Sequence, residues 1–243
     1  MVAKFSKDKF LKLIYPALYI VLILGCVISG CFAFSKLYYE SIYVSGLSMQ
    51  PTLIGGYIVP SGKKLYHYGR ADLSKQAINN LKRFDVVITS YPSEWGFSDE
   101  TYIIKRIWGF PGEHISLLKE TNQYVFTVYS GSSVKEKYVA PILDETIYDV
   151  NKTVTFTTEI RTFKTNGEPD RSFDRVLAKD EVFLMGDNWG HSTDCFEKLY
   201  TESSSVYLTK SHIKGKVISI DGFAELKDKT LVNKIEIKKM INF

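Results

Sequence analysis

The sequence predicts a mainly β domain of antiparallel strands behind one N-terminal transmembrane helix. Three observations carry that prediction. Residues 13–34 form a run of 22 without a charged side chain. Beyond it, short stretches rich in Val, Ile, Tyr, Phe and Thr alternate with Gly, Pro, Asn and Ser, the pattern of strands and turns. Outside the uncharged run only residues 72–81 read as a helix, with Asp72 or Ser74 as its cap.

The uncharged run is the first element. At about 1.5 Å per residue it makes a helix of about 33 Å, enough for a hydrocarbon core of about 30 Å. A buried core helix is the competing reading, but this run offers water no polar face. Lys4, Lys7, Lys9 and Lys12 precede it against Asp8 alone, a local charge of +3, and only Lys36 and then Glu40 follow. The positive-inside rule therefore puts residues 1–12 in the cytoplasm as a basic tail and residues 35–243 outside. The exit Cys31-Phe32-Ala33-Phe34-Ser35 is bulky where a cleaved leader needs small residues, so the helix is expected to stay. The alternative is Ile28-Ser29-Gly30-Cys31, similar to a lipoprotein processing site, at which Cys31 carries lipid and the helix is lost.

Composition bounds the rest. At 243 residues, 45% hydrophobic and 24% charged, the chain suits one domain or two small ones, not a disordered tail, a collagen-like fibre or a polytopic membrane protein. Cys26 and Cys31 lie in the apolar run, so Cys195 has no external partner for a disulfide. Of the formal +4, the tail holds +3, and the +1 left outside offers no basic surface for nucleic acid.

The predicted strands are residues 38–44, 57–60, 84–91, 101–107, 114–119, 123–129, 153–163, 182–185 and 216–221. Residues 118–179 are more polar and lack the motifs found on either side, so they read as an insertion with its own small antiparallel lobe.

Three blocks carry chemistry. In Val44-Ser45-Gly46-Leu47-Ser48-Met49-Gln50-Pro51 a strand ends, Gly46 permits an unusual turn and Pro51 stops any continuation. Ser48 then stands at a strand exit with its hydroxyl projecting and its amide free, which suits a nucleophile whose own N–H helps bind an oxyanion. A plain surface turn fits the same residues unless a base is found. In Ile103-Ile104-Lys105-Arg106-Ile107, alternation gives Lys105 the face of Ile103 and Ile107 and sends Arg106 the other way. An ammonium between two isoleucines is either desolvated, with its pKa lowered, or snorkels to water. In Gly186-Asp187-Asn188-Trp189-Gly190-His191-Ser192-Thr193-Asp194, an Asx-rich turn follows an apolar strand. Ser192 can orient a neutral lysine there and Asp194 can fasten the loop.

Taken in order, Ser-Gly-x-Ser-Met-x-Pro-Thr, Lys-Arg-x-x-Gly-x-Pro-Gly-Glu and Gly-Asp-Asn-x-x-x-Ser-x-Asp resemble bacterial type I signal peptidases of the S26 family, the short Gram-positive members in particular. Arg83-Phe84-Asp85-Val86-Val87 and Ile213-Lys214-Gly215-Lys216-Val217 are similar to two further segments of that family. The resemblance implies a signal-peptidase-like β fold and a Ser–Lys dyad, with Ser48 as nucleophile and Lys105 as general base. It implies that Gly46 and the Ser48 amide belong to the oxyanion region, as in the glycine-bearing members. It also implies that Ser192 orients the lysine and that Asp187, Asn188 and Asp194 fix the loop. Substrate is then an extended strand between the segments ending at Val44 and Ile104, with Ile103 beside it. Its partners are preprotein signal peptides with A-x-A-like sites and the lipid bilayer, without metal, cofactor or nucleic acid.

The chain departs from that pattern where the family usually has arginine, at Trp189 and Phe196. Asp194 must therefore find another partner or stay solvated, and the changed loop suggests a peptidase specialised for few surface or pilus substrates. Trp95 and Phe97 either dip into the bilayer interface or pack on a loop. A triad of Ser48, His191 and Asp187 is the rival dyad-free hydrolase. A self-cleaving repressor and a non-catalytic assembly factor for exported subunits are the remaining alternatives; the topology argues against the first, and retention of both Ser48 and Lys105 against the second.

Overall fold

The computed structural model describes residues 7–50, 52–58, 61–98, 101–120, 123–140, 172–201, 207–228 and 230–236. Two compact units emerge, residues 1–39 and 40–243. The first is a single helix, α1 (Lys7–Tyr38), which runs past both ends of the uncharged run and takes Pro16 within it. Its stretch Ile14–Ala33 is long and apolar enough to cross a membrane and buries nothing against protein. That is one N-terminal candidate for a single-pass anchor.

The second unit is mainly β. Its larger sheet has eight strands among the described residues: β1 (Tyr39–Tyr43), β2 (Tyr57–Ile58), β3 (Lys64–Asp72), β4 (Val86–Ser90), β5 (Tyr102–Gly109), β10 (Phe183–Met185), β11 (Ile213–Lys227) and β12 (Thr230–Glu236). The order across it is β1-β3-β11-β4-β5-β10, with β2 on β3 and β12 on β11. The smaller sheet is β8-β7-β6-β9, built from β6 (His114–Glu120), β7 (Gln123–Ser130), β8 (Ser133–Ala140) and β9 (Phe173–Val176). Three of its strands fall within residues 118–179 and the fourth, β6, starts before them at His114; the expected strand 153–163 lies outside the described residues.

Several elements escaped the sequence pattern. The segment β3 is masked by its Lys, His, Arg and Asp, yet its register with β11 places it mid-sheet. Strand β11 extends the expected 216–221 on both sides because a hydrophobic alternation continues as Ile213, Gly215 and Val217, all buried. The predicted helix 72–81 shrinks to α2 (Lys75–Asn79), because Asp72 belongs to β3; Ser74 is the cap, accepting from the Ala77 N–H at 3.1 Å. A further helix, α3 (Cys195–Thr201), opens directly after Asp194.

Two hydrophobic clusters hold this unit together. The larger joins both sheets through Ile107, Trp108, Leu117, Phe126, Leu184 and Phe196. The smaller contains Val44, Met49, Leu53, Val86, Ile88 and Val217. Met49 and Leu53 are therefore anchors: each is almost wholly buried, so the turn carrying Ser48 is nailed to the core directly beyond its serine.

Candidate active site

The loop of residues 44–55 leaves β1 and returns to the sheet. The Val44 N–H donates to the His67 carbonyl at 2.9 Å, the His67 N–H to the Ile54 carbonyl at 2.9 Å, and the Ile54 N–H to His67 Nδ1 at 2.9 Å. One buried residue of β3 thus clamps both ends of the loop. The ring must be neutral to accept at Nδ1. Burial keeps it so, lowering its pKa to about 3, and Phe223 covers it at 4.1 Å between ring centroids. Nothing in the local sequence marks His67, whose partners Val44, Ile54 and Phe223 are brought to it only by the fold.

Within the loop, Gln50 N–H donates to the Leu47 carbonyl and Leu53 N–H to the Met49 carbonyl, at 3.1 and 2.8 Å. These turns create the bend expected of Gly46. Gly46 has no left-handed φ, and a Cβ there meets open space. The glycine that the geometry requires is Gly55, whose Cβ would fall 2.6 Å from the Ser45 carbonyl carbon. Pro51 lies outside the described residues. Among the described residues the Ser48 N–H donates to no backbone carbonyl, whereas the Ser48 carbonyl accepts from Asn188 N–H at 2.9 Å.

Strand β5 brings the lysine. Its Cα partner on β4 is Val87, and it is 1% exposed, so the buried reading holds and the snorkelling one fails. Lys105 Nζ donates to Ser48 Oγ at 2.7 Å and to the Ile104 carbonyl at 3.1 Å. Burial lowers its pKa to about 8, against the opposing pull of the Asp194 and Asp187 charges. A substantial neutral fraction at mildly alkaline pH follows, in hydrogen-bond contact with a hydroxyl.

The loop after β10 surrounds this pair. Asp187 receives Arg106 Nε and Nη2 at 2.8 and 2.6 Å, both residues buried, so it is held by a forked ion pair and not by its own turn. Asn188 Nδ2 donates to the Leu47 carbonyl at 3.1 Å, stitching the loop to the Ser48 turn. Asp194 is buried and accepts from Gly186 N–H, from Phe196 and Glu197 N–H and from Ser192 Oγ. It therefore caps α3 with its side chain, and this is the partner set that replaces the expected arginine. Burial pushes its carboxyl up, and the Lys105 charge and those donors oppose the rise. Ser192 spends its hydroxyl on Asp194, and no hydrogen bond joins it to Lys105 among the described residues. Gly186 has no room for a Cβ, which would strike the Ser48 carbonyl and Ser192.

A cavity of about 340 Å³ lies over Ser48 and Lys105 and is also lined by Val44, Gly46, Ile103 and Ile104. All the residues expected to touch substrate thus meet in one cleft, while Asp187, Asn188, Ser192 and Asp194 stand behind it. A second cavity of about 350 Å³, sharing Tyr43, Ser45, Tyr102 and Ile104 with the first, continues the groove towards Ile88 and Lys214.

The rival constellations come apart here. His191 lines the cleft, but among the described residues it makes no hydrogen bond to Ser48, and Asp187 is committed to Arg106. Cys195 is buried, with its thiol pKa pushed up by burial, the opposite of an activated nucleophile. Trp95 is buried against Tyr91 at 4.7 Å, so it packs within the unit and is not an interface residue. The Tyr91 hydroxyl in turn donates to the Thr193 carbonyl at 2.9 Å, a loop contact the sequence did not suggest.

Two comparisons with known proteins agree on family. The profile of the family described as signal peptidase, peptidase S26 matches residues 10–220. Signal peptidase I of Pseudomonas aeruginosa is 28% identical over 206 residues, 79% of this chain and 64% of that protein. The match thus spans less than two thirds of that relative's length.

Proposed function

The chain belongs to the signal peptidase S26 family, and we propose that it is a membrane-anchored serine endopeptidase that removes signal peptides from exported preproteins through a Ser48–Lys105 dyad. One observation carries the reading: a lysine that burial holds near pKa 8 lies 2.7 Å from a hydroxyl at the floor of an open groove.

The preprotein lies as an extended strand beside Val44, Ile103 and Ile104, with alternate side chains entering the two connected cavities. Neutral Lys105 takes the proton of Ser48 Oγ as the oxygen attacks the scissile carbonyl. The Ser48 N–H faces the oxyanion, and Gly46 leaves that region to backbone donors. The lysine then returns its proton to the leaving amine, and a water activated by the same amine hydrolyses the acyl-enzyme. Asp187, Asn188, Ser192 and Asp194 act as positioning residues behind the groove.

The +3 flank before α1 supports a cytoplasmic N-terminus with the catalytic unit on the outer side of the bilayer. The departures at Trp189 and Phe196 support a narrow set of surface or pilus substrates.

Processing of a preprotein in vesicles by wild type, Ser48→Ala, Lys105→Ala and His191→Ala tests the chemistry. Loss of cleavage in the first two variants and retention in the third is expected. A live Lys105→Ala with a dead His191→Ala overturns the dyad in favour of a triad, and full biological function in Ser48→Ala transfers the protein to the class of assembly factors.

A further inference from the structure

Trp189 and Phe196 bracket the loop that backs the dyad, at the two positions where arginine is expected. Their rings form a buried pair, 5.6 Å between centroids. Each also meets an aromatic ring of the smaller sheet. Trp189 contacts Tyr124 of β7 at 5.8 Å and Trp108 of β5 at 5.9 Å. Phe196 contacts Phe173 of β9 at 5.9 Å, and Trp108 contacts Phe126 of β7 at 5.0 Å. Edge-on and tilted pairs at these distances have a preferred geometry as well as buried area, so they fix orientation where aliphatic contacts would slide.

The backbone next to each ring holds Ser48 or the carboxylate that acts on Lys105. Trp189 follows Asn188, which holds the Ser48 carbonyl by its N–H and the Leu47 carbonyl by its amide. The Phe196 N–H donates to Asp194 Oδ1 at 3.0 Å, and the Asp194 carboxylate exerts the largest charge effect on Lys105. From this arrangement we propose that the smaller β sheet is a positioning module for catalysis: through Tyr124 and Phe173 it holds Trp189 and Phe196, and through them sets the Ser48–Lys105 geometry and the placement of the Asp194 carboxylate. Among the described residues none of that sheet lines the cleft. The rings replace with shape what arginines would supply with charge, and the loop becomes dependent on a sheet set apart from the cleft lining. Trp189, Phe196, Tyr124 and Phe173 are accordingly positioning residues.

The proposal rests on the dyad reading, and the test separates the two. Full-length protein in detergent micelles cleaves a fluorogenic signal-peptide substrate across pH 6–10 (pH values chosen about the lysine's value of about 8). Wild type, Tyr124→Leu, Trp189→Leu, Trp189→Phe and the Tyr124→Leu/Trp189→Leu double variant are compared below their melting temperatures. Expected for each leucine variant is a kcat per folded enzyme about tenfold lower, a KM within about twofold, and a rising limb near pH 8 moved by about half a pH unit or more. The double variant should fall no further than the worse single one, and Trp189→Phe should recover most of the loss. An unmoved pH limb with unchanged kcat per folded enzyme makes the cluster core packing alone and overturns the proposal. Should a leucine variant fail to fold, Tyr124→Phe and Phe173→Leu are read by the same two criteria. Activity surviving in Lys105→Ala sinks the dyad reading instead, whatever the ring variants do.

Discussion

Lys105 and Arg106 are neighbours on one strand, both cationic by type and both buried, yet the two faces of β5 treat them oppositely. Arg106 meets a forked carboxylate at 2.8 and 2.6 Å and donates to the Phe84 carbonyl at 2.8 Å. Its burial is compensated at every step. Among the described residues Lys105 has a hydroxyl and a carbonyl within hydrogen-bond reach and no carboxylate, so desolvation outweighs the pull of the Asp194 and Asp187 charges and lowers its pKa to about 8. One face of the strand pairs its cation and the other desolvates it. A buried cation stays charged when paired and has its pKa lowered when it is not.

The largest consequence is kinetic. Ser48→Ala and Lys105→Met each lower preprotein cleavage by about 10⁴-fold or more, measured as kcat per folded enzyme. Lys105→Met also leaves the melting temperature unchanged or raised, since it removes a desolvated ammonium that has no carboxylate partner. Arg106→Met does the reverse. It leaves the Asp187 carboxylate buried and unpaired, costs about 3–5 kcal/mol in denaturant unfolding, and loses activity mainly through loss of folded enzyme. An Arg106→Met protein as stable as wild type would erase the distinction between the faces.

The pH behaviour is next in size. kcat/KM rises through the lysine's value of about 8 as the amine loses its proton. Because the folded value lies below the ordinary 10.5, the unfolded chain holds more protons between them. Stability attributable to Lys105 therefore grows from about pH 8 to 10.5, at up to about 1.4 kcal/mol per pH unit, and the difference between wild type and Lys105→Met isolates that slope. His67 gives the same sign at lower pH. Its folded value of about 3 lies below 6.5, so the clamp on the Ser48 loop is fully present above 6.5 and weakens as pH falls towards 3. Unfolding curves of wild type and His67→Leu should converge over that window.

The smallest effect belongs to Gly46. A side chain there meets open space, so Gly46→Ser folds normally and adds a hydroxyl donor beside the oxyanion, raising kcat by less than about tenfold. A lower kcat would mean that backbone donors already fill the region.

The two faces also show what could be read in advance. Period-two alternation alone sets Lys105 beside Ile103 and Ile107 and turns Arg106 away. It does not say that Asp187, 81 positions on, waits for the arginine, because β10 must first pair with β5. The same holds for His67, which looks ordinary in a strand whose charged residues hide its period. Asp194, without an arginine, needs another partner or solvent, and four local donors at a helix start supply the partner set. A cap is a backbone feature, and α3 carries no strong sequence signal of its own.

The apolar span and the strand-rich character of the rest are legible in the sequence through local physics: transfer of side chains out of water, the two-residue repeat of a strand, and turns limited to a few residue types. The residues at the cleft are legible through the resemblance of three ordered blocks to a family. The state of those residues is settled only by the folded chain. Whether Lys105 is buried or snorkels to water, which carboxylate meets which cation, and how Trp189 and Phe196 pack against the smaller sheet depend on burial and on pairings far apart in the chain. Desolvation is a property of the surroundings a residue acquires on folding, and no residue carries it in its name.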